Sequence, residues 1–464
     1  NALIDMYGKC GSIVLAQDVF DRLPMRDIIS WTTLITGYVE HGYGMEALDC
    51  FKWMQLEGIS PNATAFVSSL KACSILQAIE KGHEIHSEIE ARGLLEEDII
   101  VGNTLIDFYA KFGSLTDAYK VICTLDDRNT VSWSALIAGF ARHGYGEDAL
   151  DCFTAMQGEG FRCSKDMFLC ILKVCSSGEA IGEGMEIHDQ VVRQGHETDV
   201  LIGSTLIDMY SKCHCLEAAR KVFEMMPTRN EVSWGALITG YAQHGYGFIA
   251  LGLFERMQKD RIQPGEFLLT TMLKVCAIIG AAKQGQLLYE QVLRSECKVD
   301  IVVVNALIDM HCKCGNVEAA QRVLNGMQTK DVASWGAIIA GYASQGRCKE
   351  ASECLESMVK EGFKPDAGIF MNVLAAYSHA GMLEEAQYQF KAMINDHKLI
   401  PTTEHYNCMI DLLGRAGCLN EASDLLRTLS STPDVIGWRS LLTGCRTFKN
   451  IDLANNCFDE AFGS

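Results

Sequence analysis

The sequence predicts an all-α solenoid of about fourteen helix-turn-helix repeats, and three recurring strings carry that expectation. The string NALIDMYGKCG at Asn1 returns as NTLIDFYAKFG at Asn103, STLIDMYSKCH at Ser204, NALIDMHCKCG at Asn305 and NCMIDLLGRAG at Asn407, each start 101 or 102 residues after the last. A second string, SWTTLITGYVEHGYG at Ser30, returns at Ser132, Ser233 and Ser334 with the same spacing, and a third, FVSSLKACS at Phe66, is echoed from Phe168 and from Leu268. Each long period therefore divides into three units of some thirty residues. That is the length at which one supersecondary unit buries its apolar face on the next, so function is expected on the continuous surface that the stack builds.

One unit, from Ile28 to Asn62, shows how each element arises. Leu34, Ile35 and Tyr38 fall at helical spacing after Ser30 and Trp31, and the glycines Gly42 and Gly44 interrupt that first helix. Ala47, Leu48, Phe51 and Met54 continue the helical spacing in a second helix, which Gly58 and Pro61 end. The later copies parse in the same way.

Composition supports one uninterrupted array. Hydrophobic residues make up 48% of the chain and there are only 7 prolines in 464 residues, which suits a core running the whole length. The apolar runs are far shorter than a membrane span, so no membrane association is expected. The chain opens at Asn1 inside a repeat and is expected to be a piece of a longer protein. Most of the 20 cysteines recur at equivalent positions, as in Cys10, Cys213 and Cys314, or Cys73, Cys175 and Cys276, and no Cys-x-x-Cys pair occurs. They are expected to be reduced packing residues, with no metal site even at the denser Cys213-His214-Cys215 and His311-Cys312-Lys313-Cys314. The net charge of -19 opposes nonspecific attraction to nucleic acid, since phosphate neutralisation supplies most of that affinity.

Comparison of the copies isolates a second stripe on the first helix of the NALIDMY class. Residues four apart share a helix face, so Asn1, Asp5 and Lys9 form a polar ridge, as do Asn103, Asp107 and Lys111. The ridge continues as Ser204, Asp208 and Lys212; Asn305, Asp309 and Lys313; and Asn407, Asp411 and Arg415. Its first residue varies in an otherwise constant frame. The same place in the SW class holds Thr32, Ser134, Gly235 and Gly336, and the residue that ends each hairpin alternates mainly among Asn, Asp and Ser. Those hairpin-ending residues are natural N-caps for the next helix, but capping alone leaves the Asn/Asp alternation unexplained.

These motifs resemble the plant pentatricopeptide repeat family, and in particular its subclass in which three motif lengths rotate. The SW motif resembles the standard-length type, the FxxxLKxC motif the long type and NALIDMYxKCG the short type. Residues 1-434 would be the repeat array, and 435-464, VIGWRSLLTGCRTFKNIDLANNCFDEAF and its flanks, resemble part of the extension repeat found in organellar RNA-editing members. The resemblance implies a right-handed superhelix that binds single-stranded RNA one base per repeat. The fifth and last residues of a motif read the base edge, and an aliphatic second residue sandwiches the base. Carried to this sequence, it implies uracil for Asn1/Asp27, Asn305/Asp331 and Asn407/Asp434. Cytosine falls to Asn103/Asn129, and adenine to Thr32/Asn62, Ser204/Asn230 and, weakly, Ser134/Ser164. Gly235/Gly265 and Gly336/Asp366 depart from the readable pairs. With unread repeats as N, the implied site is U-A-N-C-A-N-A-N-N-U-N-N-U. The sandwiching residues would be Ile29, Ile100, Val131, Leu201, Val232 and Val302, with Glu404 breaking the pattern. Lys9, Lys111, Lys212, Lys313 and Arg415 would meet phosphates. Editing-complex helper proteins and a deaminase acting in trans are the further partners implied, in a mitochondrion or chloroplast, the former favoured.

No catalytic residue and no cofactor is expected in this chain. The His-x-Glu of a zinc deaminase is matched at His86-Ser87-Glu88, but no Pro-Cys-x-x-Cys follows. His83-Glu84-Ile85-His86 is one residue short of the metalloprotease helix, and the Gly-Tyr-Gly turns lack the Gly-Lys-Ser/Thr of a phosphate loop. The recurring His41, His143 and His244 occupy one helix end in successive copies, which points to a structural role. Two classes of function stay open: an RNA specificity factor in editing or another organellar RNA process, and a protein-binding helical scaffold, to which the acidic charge is better suited.

Overall fold

The apolar spacing resolves into helices throughout. A computed structural model describes residues 1–294, 300–428 and 435–462, and every regular element among them is helical. Of the 29 described helices, the four-residue Leu94–Glu97 stands apart and the remaining 28 pair into fourteen hairpins, as the sequence predicts. They fall into two compact units, Asn1–Gly240 and Tyr241–Ser464.

The SW unit shows why the hairpin forms where it does. The first helix, Ile28–Glu40, starts at Asp27, whose carboxylate accepts from Ser30 N while Ser30 Oγ accepts from Asp27 N: a capping box. It ends at His41, after which Gly42 takes φ +81°, a left-handed turn that a side chain resists. The second helix, Gly44–Leu56, buries Ala47, Cys50, Phe51 and Met54. Within each unit, consecutive first helices pack directly on one another, as Ile99–Phe112 does on Thr130–Arg142. Each second helix packs chiefly on the first helices before and after it. The first helices thus form a close-set layer with the second helices behind them. Small residues permit the close approach: the Gly139 backbone passes so near Ala110 that a Cβ on Gly139 would lie 2.6 Å from the Ala110 Cβ.

Sequence reading overlooked the basic residue just before each SW cap. Arg26 lies 4.9 Å over the Phe20 ring and pairs with Glu57 at 3.0 Å, and Glu57 also accepts from Trp31 Nε1 at 3.2 Å. Arg128 and Lys330 pair likewise with Glu159 and Glu361. Most of the described cysteines behave as small core residues, although Cys10, expected among them, is exposed, as is Cys123. Cys73, Cys175 and Cys276 are fully buried, and Cys213 and Cys314 point Sγ at the Cys175 and Cys276 carbonyls, each 3.7 Å away.

The histidines also serve packing. His41 Nδ1 bonds its own Gly37 carbonyl at 3.0 Å, and His143 Nε2 reaches Ala110 O of the preceding first helix at 2.9 Å, beneath the turn at Gly113. His83 and His86 both bond the Tyr109 hydroxyl, at 3.0 and 2.8 Å, and His188 bonds Tyr210 at 2.8 Å. One rotation on, the residue types are exchanged: Tyr289 replaces His188, and His311 replaces Tyr210 and bonds Gln286 at 2.9 Å.

Burial depresses the pKa of His86, His188 and His311. At His86 burial outweighs the Glu90 carboxylate 3.3 Å away. A depressed histidine is neutral when folded yet takes up a proton when unfolded, so its contribution is full above about pH 6.5 and lost as pH falls below it. The melting temperature should therefore drop between pH 7.5 and 5.5, before carboxylates titrate. Replacing all three by Gln should flatten that drop, and an unchanged slope would exclude these histidines as its source.

Candidate nucleic-acid interface

The candidate interface lies at the N-terminal ends of the first helices, where capping fixes the orientation of the hairpin-ending residues. An N-cap side chain must turn an oxygen toward free backbone N–H groups. Asp27 Oδ1 accepts from Ser30 N at 2.8 Å, Asn62 Oδ1 from Ala65 N at 2.9 Å and Asn129 Oδ1 from Ser132 N at 3.0 Å. Asn230 Oδ1 and Asp331 Oδ1 accept from Ser233 N and Ser334 N at 3.0 and 2.7 Å. Ser164 and Asp366 cap in the same way, and Gly265 has no side chain to do so. With one oxygen engaged, asparagine presents its amide donor and aspartate its second oxygen. Capping therefore coexists with the Asn/Asp alternation and gives it a chemical meaning.

Most of the readable pairs come together across some 26 to 30 residues of sequence. Asn1 Nδ2 donates to Asp27 Oδ1 at 3.4 Å, Asn103 Nδ2 to Asn129 Oδ1 at 3.4 Å, and Asn305 Nδ2 to Asp331 Oδ1 at 3.1 Å. Thr32 Oγ1 lies 3.3 Å from Asn62 Oδ1 and 2.6 Å from the Ile28 carbonyl of its own helix. A residue that sequence reading missed as a participant locks two of these pairs. The first SW serine bonds the ridge asparagine as well as boxing the cap: Ser132 Oγ donates to Asn103 Oδ1 at 2.5 Å, and Ser334 Oγ to Asn305 Oδ1 at 2.7 Å. Around Asp27, hydrogen bonds from Ser30 keep the carboxyl below its usual pKa. Burial would raise Asp331, but bonds from Ser334 and Asn305 outweigh it.

Two serine pairs are not joined by a hydrogen bond. Ser204 is only 3% exposed and donates to its own Val200 carbonyl at 2.6 Å, and Ser134 donates to Thr130 O at 2.6 Å. A hydroxyl on a short side chain is satisfied by the carbonyl four residues back, whereas the longer asparagine amide reaches the next hairpin. Asp434 lies outside the described residues; its partner Asn407 is half-buried on the helix Thr403–Ala416. At Gly336 the missing side chain helps open a cleft of about 750 Å³ that Asp366, Met371 and Glu404 also line.

The six aliphatic residues carried over as sandwiching positions are all unusually exposed. Ile29, Ile100, Val131, Leu201, Val232 and Val302 leave between 51 and 60% of their surface open, although the same helices bury most of their other aliphatic residues. Ile436 stands at the equivalent place in the last hairpin and is 63% exposed. The equivalent place in the long class holds Thr64, Asp166, Phe267 and Gly368, so the apolar series is interrupted there. The long class ends in caps that sequence reading passed over. Asp98, Asp199 and Asp300 accept from Ile100 N, Leu201 N and Val302 N, and so fix the exposed residue itself.

Along the ridge, each cation pairs with its helical neighbour. Lys9 meets Asp5 at 2.8 Å, Lys111 Asp107 at 2.6 Å, Lys212 Asp208 at 2.9 Å, Lys313 Asp309 at 2.8 Å and Arg415 Asp411 at 2.7 Å. Such exposed pairs are weak, being screened by solvent, so a phosphate can compete for the cation. Arg415 also donates to the Ser378 carbonyl at 2.7 Å, which ties it to the preceding long repeat. Among the described residues, no three His, Cys, Asp or Glu side chains are grouped to hold a metal.

Fold and site together define a helical-repeat protein in which several repeats offer a capped polar pair beside an exposed aliphatic residue. Models of the pentatricopeptide repeat match at residues 1–28, 131–161, 204–230, 232–262, 333–363 and 404–430, with related repeat models at 26–74, 295–328 and 353–416. A putative pentatricopeptide repeat-containing protein of Arabidopsis thaliana is 39% identical over 457 residues, covering 98% of this chain and 66% of the relative. A second from that plant is 33% identical over 466 residues, covering 100% and 69%. This chain belongs to the pentatricopeptide repeat family. Two further Arabidopsis relatives, each 34% identical over 98% of this chain, are named chloroplastic and mitochondrial; the chain spans 52% and 59% of their lengths. Among solved structures, the fold matches that of the pentatricopeptide repeat protein PPR10 in complex with an 18-nt psaJ RNA element. The TM-score is 0.68 at 22% identity, covering 87% of this chain and 60% of that one.

Proposed function

We propose that this chain is a sequence-specific single-stranded RNA-binding protein that addresses an organellar transcript for cytidine-to-uridine editing. The observation that carries the proposal is the pairing of Asn1 with Asp27, Asn103 with Asn129 and Asn305 with Asp331, each beside a cap that turns one remaining polar group outward. An unstacked base offers its Watson–Crick edge to such a group and its faces to exposed aliphatic residues like Val131 and Val302. The acidic balance suits a binder that relies on base edges and gains little from phosphates alone.

The finer parts of the proposal rest on the rotation of motif lengths and on the relatives. Residues 1-434 act as a rotating short, standard and long array, with 435-464 as part of an extension repeat. The compartment is a mitochondrion or chloroplast, as in the names of relatives. Deamination is the work of a deaminase outside residues 1–464 or in trans, with helper proteins as further partners. Binding to U-A-N-C-A-N-A-N-N-U-N-N-U, compared with scrambled strings in a gel-shift series, tests the address. The expected result is preference for the address by at least tenfold. Equal, weak binding to every string would overturn RNA recognition by these pairs.

A further inference from the structure

The second-helix side of the first unit carries a pocket that the RNA reading does not use. It lies between the helices Leu115–Thr124 and Gly146–Gly158 and encloses about 650 Å³. Its wall is aromatic and acidic: Phe140, Tyr119 and Tyr145 line it with Asp148 and Asp151, and Ala155 leaves its outer end wide. Neither Asp148 nor Asp151 has an ion-pair partner among the described residues, whereas Lys120 at the rim is neutralised by Asp117 at 2.9 Å.

The repeats supply their own comparison. At the equivalent place 102 residues earlier, Trp53 stands where Ala155 does, and the Tyr38 hydroxyl donates to Gln17 at 2.8 Å in the position of Tyr119. At the equivalent place 202 residues later, Arg347 replaces Tyr145. Its guanidinium lies 4.8 Å over the ring of Tyr342, the counterpart of Phe140. It also pairs with Glu350, the counterpart of Asp148, at 2.9 Å, and with Glu318, the counterpart of Thr116, at 2.5 Å. The second unit therefore shows this site loaded with a guanidinium from its own chain. In the first unit the ring and one of those two carboxylates, Asp148, remain; Thr116 stands in place of Glu318, Asp151 supplies the second carboxylate of the wall, and the arginine is missing.

We propose that the pocket between Leu115–Thr124 and Gly146–Gly158 receives an arginine side chain from a basic segment of a partner protein, seated over Phe140 and held by Asp148 and Asp151. A guanidinium gains from an aromatic face and from a carboxylate together, which a lysine ammonium matches less well. The chain's charge of -19 draws a basic segment toward it, and the pocket gives that attraction a defined seat. The pocket lies between two second helices, and Phe140 reaches it from the C-terminal end of the first helix Thr130–Arg142, so it can be occupied while the N-terminal ends of the first helices are engaged elsewhere.

A fluorescein-labelled peptide of four Arg-Gly repeats, and its counterpart with citrulline for arginine, tests this by fluorescence anisotropy on the whole chain. Citrulline keeps the shape and removes the charge. The arginine peptide should bind at least tenfold more tightly. Asp148→Asn with Asp151→Asn should weaken it at least tenfold, whereas neutralising the exposed Glu384 and Glu385 of the other unit should change it less than twofold. Tyr145→Arg should place an internal guanidinium in the pocket, as Arg347 does, and abolish binding while circular dichroism stays unchanged. Equal binding of the two peptides, or equal losses from the two pairs of neutralisations, would reduce the effect to general attraction and overturn the pocket. Undiminished binding by a folded Tyr145→Arg variant would do the same.

Discussion

Asp331→Asn should move the tenth base of the preferred RNA from uracil to cytosine. Asp331 Oδ1 is engaged: it accepts from Ser334 N at 2.7 Å and from Asn305 Nδ2 at 3.1 Å. Only Oδ2 remains for a ligand, and bonds from Ser334 and Asn305 help keep the carboxyl ionised despite its burial. An acceptor at that place suits the N3–H of uracil and repels the N3 lone pair of cytosine. Asparagine retains the cap, because its oxygen must still face Ser334 N, and so presents an amide donor where the acceptor stood. Facing two acceptors or two donors costs roughly 2 kcal/mol at such a site, or about thirtyfold in affinity. Competition between RNAs differing only at the tenth base should therefore show the preference inverted, with total affinity for the better RNA nearly unchanged. The reciprocal Asn129→Asp should favour uracil at the fourth base. A variant that binds both RNAs more weakly, without inversion, would mean that Asp331 serves the fold alone.

The difference between a cap and a reader was partly legible in the sequence, and the reason is geometric. The 101-residue rhythm placed the helix starts, and the resemblance to the pentatricopeptide repeat family then matched Asn1, Asn103 and Asn305 with Asp27, Asn129 and Asp331. Those pairs met because both ends are pinned, one by a cap and the other by a helix face. The Ser204/Asn230 pair was matched by the same logic, yet no hydrogen bond joins it. Spacing says which face a serine occupies but not that its hydroxyl turns back to Val200 O. The bracing serines Ser132 and Ser334 were hidden for the opposite reason: as invariant parts of the SW string they belonged to the constant frame, where variation cannot point to them. Arg347 was illegible because its meaning lies in a contact with Glu318 and Tyr342, which a comparison of similar strings discards as noise.

The constant frame itself yields the largest stability effect, at Gly82. Alanine in mid-helix normally gains about 1 kcal/mol over glycine, and Gly252, where an added Cβ would meet nothing within 4 Å, should show that gain. At Gly82 a Cβ would lie 2.5 Å from Phe108 Cε1 and closer still to Cζ. The ring cannot yield easily, since it is fully buried, stacks edge-on to Tyr109 at 5.2 Å and tilts against Phe112 at 4.8 Å. Shifting it also disturbs the Tyr109 hydroxyl that joins His83 and His86. Overpacking of this kind costs about 3 kcal/mol, well beyond the propensity gain. The next rotations meet Gly184 and Gly285 with the methionines Met209 and Met310, whose nearest atoms are 2.6 Å from the added Cβ and belong to a flexible chain. Gly184→Ala should therefore cost less than Gly82→Ala, and Phe108→Met should rescue much of the Gly82→Ala loss. Because repeats unfold in part as neighbours, amide exchange along Ile79–Ala91 and Ile99–Phe112 is a better measure than a single melting curve. Equal losses at Gly82 and Gly184, or no rescue by Phe108→Met, would show that the cost comes from the helix backbone and not from the ring that crosses it.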